Sequence, residues 1–260
     1  MDNKKIKNEK DNDSFPDNNI EINNKTNIDK DKSYSKNINY NNIIYKDPKS
    51  SIEILGEDFK NSDLNFKIIM IGNSGVGKSC LSLRGSKNFF KEDFIPTIGF
   101  EFFNFNVRIN NKIIKLQIWD TCGQEIYRSI IKGFYRSTEL AIIVYSVVDK
   151  KSFSDIEIWF QQIKTYCSPN CKIFLIGNKI DLPNRVISSE EGINCKIEHD
   201  FDCYMETSAK NGININELFV NCAISLYKKF IEQENENELN INSNSFSLDN
   251  GIIEEDDCQC

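Results

Sequence analysis

Gly72-Asn73-Ser74-Gly75-Val76-Gly77-Lys78-Ser79 decides how this chain folds. The stretch fits G-x-x-x-x-G-K-[ST], and its flanks suit that pattern. Before it, Phe66-Lys67-Ile68-Ile69-Met70-Ile71 is a short apolar run that reads as a buried strand. After it, Ser79-Cys80-Leu81-Ser82-Leu83-Arg84 can open a helix. Glycines in such a loop let backbone N–H groups converge on phosphate oxygens, and the helix N-terminus adds partial positive charge. Lys78 then reaches the β- and γ-phosphates, and the Ser79 hydroxyl ligates Mg²⁺. The plainer alternative is a glycine turn with a chance lysine, against which the later motifs weigh.

From Asn65 onward strand and helix patterns alternate. Phe100 to Ile109 alternates and meets Asn110-Asn111, two residues that tolerate the positive φ of a tight hairpin, and Lys112 to Trp119 is the partner strand. A helical stretch (Gln124 to Thr138), a strand (Leu140 to Tyr145) and a helix from about Ser152 to Tyr166 follow. Then come a strand (Lys172 to Gly177), a helix near Ser188 to His199, and a short strand (Cys203 to Met205). The amphipathic run Asn214 to Ile231 puts Leu218, Phe219, Cys222, Leu226 and Phe230 on one face. This order predicts an α/β domain: a mostly parallel six-stranded sheet with one antiparallel edge hairpin and helices on both faces. Ligands in such a sheet sit at the C-terminal ends of the strands.

Three further motifs fall at strand ends. Asp120-Thr121-Cys122-Gly123-Gln124 follows Trp119; a carboxylate there can hold Mg²⁺ through water, and Gly123 lets a backbone N–H reach the γ-phosphate. Helix capping by Asp120 or Thr121 is the competing explanation. Asn178-Lys179-Ile180-Asp181 points to guanine, because the Asp181 carboxylate can accept from both N1–H and the exocyclic amino group. A turn leading into Leu182-Pro183 would be the ordinary reading of the same residues. Glu206-Thr207-Ser208-Ala209-Lys210 follows the next strand, placed to offer the Ala209 N–H to guanine O6.

Composition bounds the rest. A chain of 260 residues with 39% apolar content can bury a sizeable core in one domain. The net charge of −7 is uneven: nine acidic residues and no Lys or Arg lie from Glu232 onward, which leaves the rest at +2. No nucleic-acid surface is expected from that balance. Nine cysteines without C-x-x-C pairs, and a single histidine (His199), exclude ordinary zinc spacing and read as reduced, cytosolic thiols. No apolar run has transmembrane length, and no signal-peptide core follows Met1. Residues 1–63, rich in Asn, Lys and Asp, are expected to be a disordered extension, with Ser51-Ile52-Glu53-Ile54-Leu55 its one apolar knot and a candidate partner-binding segment. Residues 64–231 form the folded domain, and 232–260 an acidic flexible tail.

These motifs in this order resemble the Ras superfamily of small GTPases, with the P-loop GTPase fold, and the finer text resembles its Rab branch. The Rab-like strings are Ile98-Gly99-Phe100-Glu101-Phe102, Lys115 to Glu125, Tyr127-Arg128-Ser129-Ile130 and Phe134-Tyr135-Arg136-Ser137. The end, Cys258-Gln259-Cys260, is similar to a doubly prenylated terminus. The resemblance implies a GTP- and GDP-binding switch in vesicle and membrane traffic, hydrolysing slowly without an activating protein. It implies nucleotide contacts from Gly72, Ser74, Gly75, Val76, Gly77, Lys78, Ser79, Cys80, Phe90, Thr97, Asp120, Gly123, Asn178, Lys179, Asp181, Ser208, Ala209 and Lys210. Mg²⁺ would be held by Ser79, Thr97 and, via water, Asp120; Lys78, Thr97 and the water-orienting Gln124 would be catalytic. Phe102, Trp119 and Phe134 would report nucleotide state to effectors, although plain core packing explains them too. Implied partners are an exchange factor, an activating protein, escort or GDP-dissociation-inhibitor-type proteins and effectors. The chain would act as a monomer at the cytoplasmic face of endomembranes, with a cytosolic pool, attached through prenyl groups on Cys258 and Cys260. Cys122 stands where the family usually has Ala, Ile126 where it usually has Arg, and both terminal segments are atypical. A scaffold without turnover and an ATP-using kinase or motor are the rival readings; Gln124 opposes the first and Asp181 the second.

Overall fold

Leu64–Ile71 offers no polar face in its second half. Ile68 and Met70 pack on one side of the sheet and Ile69 and Ile71 on the other, all fully buried. A strand buried on both faces must be central, and it is. The computed structural model describes residues 51–57, 59–92, 97, 99–122 and 133–248, with side chains only as far as Glu236. The described strands are β1 (Ile52–Leu55), β2 (Leu64–Ile71), β3 (Phe100–Ile109), β4 (Lys112–Thr121), β5 (Leu140–Ser146), β6 (Lys172–Asn178) and β7 (Cys203–Glu206). The helices are α1 (Lys78–Lys87), α2 (Lys150–Ser154), α3 (Ile156–Tyr166), α4 (Ser189–Glu198) and α5 (Ile215–Leu248).

The strands form one sheet of seven in the order β1-β3-β4-β2-β5-β6-β7. β1, β3 and β4 pair antiparallel, and every other neighbour pair is parallel. Asn110 and Asn111 take φ of 48° and 67° to close the β3–β4 hairpin, as their tolerance of left-handed backbone predicts. α1 and α5 cover one face, with Leu81, Leu218, Phe219 and Cys222 against Ile68, Met70 and Phe105. α3 covers the other, with Trp159, Phe160 and Ile163 against Ile69, Ile143 and Leu175. Truncating one such buried aliphatic residue to Ala costs about 2–5 kcal/mol, a large part of a domain's roughly 5–15 kcal/mol.

The architecture departs from expectation at three places. The sheet has seven strands rather than six, because Ile52–Leu55 pairs along Asn106–Ile109; the folded unit thus starts before residue 64. Ile52 and Ile54 pack on the core, and Asn106 Nδ2 donates to the carbonyl oxygens of Gly56 (2.8 Å) and Glu57 (3.0 Å), which fixes the turn out of β1. The helix expected from Ser152 to Tyr166 is broken at Asp155, whose N–H still bonds back to Lys151 and Phe153 while its carboxylate leaves for the phosphate loop. The last helix continues beyond Ile231 to Leu248, where a flexible tail was expected. The apolar stripe does end near Phe230, but no Gly or Pro interrupts the chain before Gly251. Of the helix expected from Gln124 to Thr138, residues 124–132 lie outside the described residues and Gly133–Tyr135 is helical.

Candidate functional site

The loop between β2 and α1 is built from glycines that nothing else can replace. Gly72 has φ 140°, and a Cβ there would lie 2.1 Å from the backbone oxygen of Val144. Gly77 has φ 101°, and a Cβ would lie 2.4 Å from Asn178 Nδ2. Both the left-handed backbone and the lack of space demand glycine. Asn178 Nδ2 uses that gap to donate to the Val76 carbonyl at 2.9 Å, joining the phosphate loop to the end of β6. Val76 itself buries its side chain in the core beneath the loop, Ser74 is exposed and Cys80 half-buried.

Lys78 and Asp120 meet at the floor of the loop. Lys78 Nζ donates to the carbonyl oxygens of Gly72 (2.8 Å) and Asn73 (3.0 Å). Burial pushes its ammonium down to about 8, with the Asp120 charge opposing. Ser79 Oγ donates to Asp120 Oδ2, and the Thr97 hydroxyl lies 2.7 Å from the same Oγ. Burial likewise pushes the Asp120 carboxyl up to about 7, against the Ser79 hydrogen bond and Lys78. Asp120 Oδ1 is buried with no hydrogen-bond partner among the described residues. A partnerless buried carboxylate oxygen beside two hydroxyls is a set of hard oxygen donors, which suits Mg²⁺. The residues present therefore fit the ion expected of them. Cys122, directly after β4, is buried among Ile69 and Ile71 and donates its N–H to Gly99 O at 3.0 Å. Gly123, Gln124, Cys258 and Cys260 lie outside the described residues.

The base side is a wall of two loops. Asn178 Oδ1 accepts from Thr207 Oγ1 (3.2 Å) and the Ala209 N–H (3.3 Å), so the loops after β6 and β7 share one amide. Ser208 Oγ donates to Asp181 Oδ1 at 2.6 Å, which leaves the carboxylate's other oxygen for a ligand. Lys179 holds the sharp turn between them in a left-handed conformation, φ 70°. Lys210 turns to solvent and pairs with Glu92 Oε1 at 2.7 Å. Phe90 lies beneath the Arg84 guanidinium, 5.9 Å from its ring centroid.

Several residues of this site escaped the motifs. Arg84 Nε donates to Ala209 O (3.0 Å) and Nη2 to Lys210 O (2.6 Å), so the helix that begins at the phosphates also carries the base loop. Asn73, a variable position of the glycine pattern, ties the loop to α3. Nothing in their spacing marks them, since each contacts the fold rather than a ligand. On the far side of β3 and β4, Trp119 lies 5.6 Å from Phe102 and 5.5 Å from Phe134, which places the expected trio together. Phe100 is a fourth member, stacked 5.2 Å from Trp119 and 4.5 Å from Phe134.

A glycine loop between a central parallel strand and a helix, with a buried Lys-Ser-Asp cluster beneath it, defines a P-loop nucleotide-binding protein. The model of the Ras family matches residues 67–228. The chain is 41% identical over 175 residues to Ras-related protein Rab-8B of Dictyostelium discoideum, covering 67% of this chain and 86% of that protein. It is 42% identical over 178 residues to GTP-binding protein ypt2 of Schizosaccharomyces pombe, 68% of this chain and 88% of the relative. With Ras-related protein SEC4 of Saccharomyces cerevisiae it shares 39% identity over 192 residues, 74% and 89% of the two chains. The chain belongs to the Ras family and is a Rab-like small GTPase, a hydrolase that binds GTP and GDP.

Proposed function

We propose that this GTPase is a Rab-type switch that regulates vesicle traffic at the cytoplasmic face of endomembranes, cycling between GTP- and GDP-bound forms. The observation that carries the reading is a single glycine loop flanked on one side by oxygen donors for a cation and on the other by Asp181 for a base. Backbone N–H groups from Ser74 to Cys80 and the Lys78 ammonium hold the phosphates, while Phe90, Lys179 and Lys210 border the base. Ser79, Thr97 and, through water, Asp120 would hold Mg²⁺, which would supply charge neutralisation for the phosphates when bound. On this reading the γ-phosphate contact falls to Gly123 and the orienting of the attacking water to Gln124, both outside the described residues. Asp181 accepts from N1–H and the amino group of guanine, and the Ala209 N–H, held only by a long 3.3 Å bond to Asn178 Oδ1, is shared with O6; adenine would leave the carboxylate unpaired.

The same reading assigns the aromatic face of Phe102, Trp119 and Phe134 to effectors. Exchange factors, an arginine-donating activating protein and escort proteins of the GDP-dissociation-inhibitor type complete the cycle, and the switch itself works as a monomer without nucleic acid. Cys258 and Cys260 both carry prenyl groups, because one chain gives marginal attachment and Glu254-Glu255-Asp256-Asp257 repels anionic lipid. The test of the base assignment is Asp181→Asn, whose amide can donate to the oxygen that replaces the amino group in xanthine. The variant should lose GTP and gain xanthosine triphosphate, and unchanged GTP affinity would sink the assignment. Competition of GTP against ATP on the wild type separates this reading from an ATP-using enzyme.

A further inference from the structure

Behind the two base loops lies a polar network that the nucleotide itself does not need. Arg185, four residues after Asp181, places Nη1 2.7 Å from Glu206 Oε1 and Nη2 2.9 Å from Glu206 Oε2. Glu206 ends β7 and directly precedes Thr207-Ser208-Ala209. The fork is bidentate and partly shielded, with side-chain exposures of 32% for Arg185 and 18% for Glu206. Ser189 Oγ and Tyr204 OH also donate to Glu206 Oε1, at 2.9 and 2.8 Å. Tyr204 has room to do so because Gly192 carries no Cβ; one there would lie 2.3 Å from its Cζ. Burial alone would raise the Glu206 carboxyl, but the bonds from Arg185, Tyr204 and Ser189 hold it below its ordinary range.

We infer that Arg185 and Glu206 are positioning residues that clamp the Asp181 loop to the Ala209 loop and so set how long, and how selectively, the guanine nucleotide is held. The inference rests on the proposal that these loops hold the base. Only one other side-chain bond, Ser208 to Asp181, joins Asp181 to the second loop among the described residues. The backbone of the Asp181 loop is held by the N–H of Ile180 to Thr207 O (3.3 Å), of Leu182 to Lys179 O (3.1 Å), and of Val186 and Ile187 to Val147 O (2.9 and 3.0 Å), none of which but the first reaches the second loop. Without the fork, the far end of the segment from Asp181 to Arg185 loses its side-chain tie to β7, and the single Ser208 bond is left to hold the carboxylate against N1–H and the amino group.

The experiment uses the full chain loaded with Mg²⁺·GDP, with ADP, or with inosine diphosphate, which lacks the amino group that Asp181 accepts from. Release rates are measured for wild type, Asp181→Asn, Arg185→Ala, Arg185→Lys and the reversed pair Arg185→Glu with Glu206→Arg. Arg185→Ala should release GDP roughly tenfold faster, the scale of one charge-assisted hydrogen bond. It should speed inosine diphosphate release less, so the preference for GDP narrows. A merely structural residue would speed both equally. Arg185→Lys, with one contact in place of two, should fall between, and the reversed pair should slow release relative to Arg185→Ala. Wild-type GDP release from Arg185→Ala, an unchanged preference, or no recovery in the reversed pair would overturn the clamp. A wild type that retains GDP no better than ADP, or an Asp181→Asn variant that holds GDP as wild type does, would instead overturn the base assignment on which the clamp depends.

Discussion

The side-chain oxygen of Asn73 accepts the indole N–H of Trp159 at 2.8 Å, across 86 residues of sequence. The amide's other end donates to Asp155 Oδ2 at 2.7 Å, so both hydrogen-bonding ends of Asn73 are held by residues of one helical turn and its cap. Trp159 is fully buried, and the phosphate loop is thereby fastened to the second core cluster.

Trp159→Phe keeps an aromatic ring in that core but removes the donor, leaving the buried Asn73 oxygen short of a partner. The expected cost is about 1–3 kcal/mol, read as a lower midpoint in thermal unfolding. GDP release should quicken in the same variant because the loop loses an anchor. A variant as stable as wild type would show that the Asn73 oxygen finds another donor.

Asn106 is fully buried in β3 and holds the turn after β1 through two bonds from one amide. Asn106→Ala strands the Gly56 and Glu57 carbonyl oxygens and should cost about 1–3 kcal/mol. Proteolysis under native conditions should then cut between residues 56 and 63 earlier than in wild type. Cleavage elsewhere first would place the weak point of the variant outside this turn.

Glu206 predicts a pH dependence of known sign. Its carboxyl is held below the ordinary range, so the unfolded chain takes up its proton first as pH falls. Its stabilising contribution is complete above the unfolded value of about 4.3 and is lost as pH drops through the lower folded value. Glu206→Gln should therefore melt below wild type at pH 7, and the gap should close as pH falls below about 4. A gap that stays constant across this range would remove the charge of Glu206 from the account.

Residues of the nucleotide motifs were legible, and residues that only brace the fold around them were not. Gly72, Gly77, Lys78 and Ser79 stand at spacings that a phosphate dictates, and Asp120, Asn178 and Asp181 fall where parallel strands end. β1 is four residues long, too short for periodicity to tell a strand from an apolar knot, and its partner lies more than fifty residues downstream. The break at Asp155 had no local signal either: its reason is Asn73, 82 residues away. Arg84 and the Arg185–Glu206 fork look like ordinary surface charges until the β6 and β7 loops come together.

The outer position of β1 sets where this protein can be divided for genetic work. A shortened chain starting at residue 61 or 64 would remove not only an N-terminal extension but the strand that occupies the hydrogen-bonding edge of β3 from Asn106 to Ile109. Four residues of open edge, beside the buried side chains of Val107 and Ile109, would then be free to pair with a neighbouring molecule. Mislocalisation or clumping of such a protein in a cell would report lost solubility as readily as a lost address. A cut after residue 50 leaves the strand in place, and comparing the two truncations separates the role of the first fifty residues from that of the sheet they lead into.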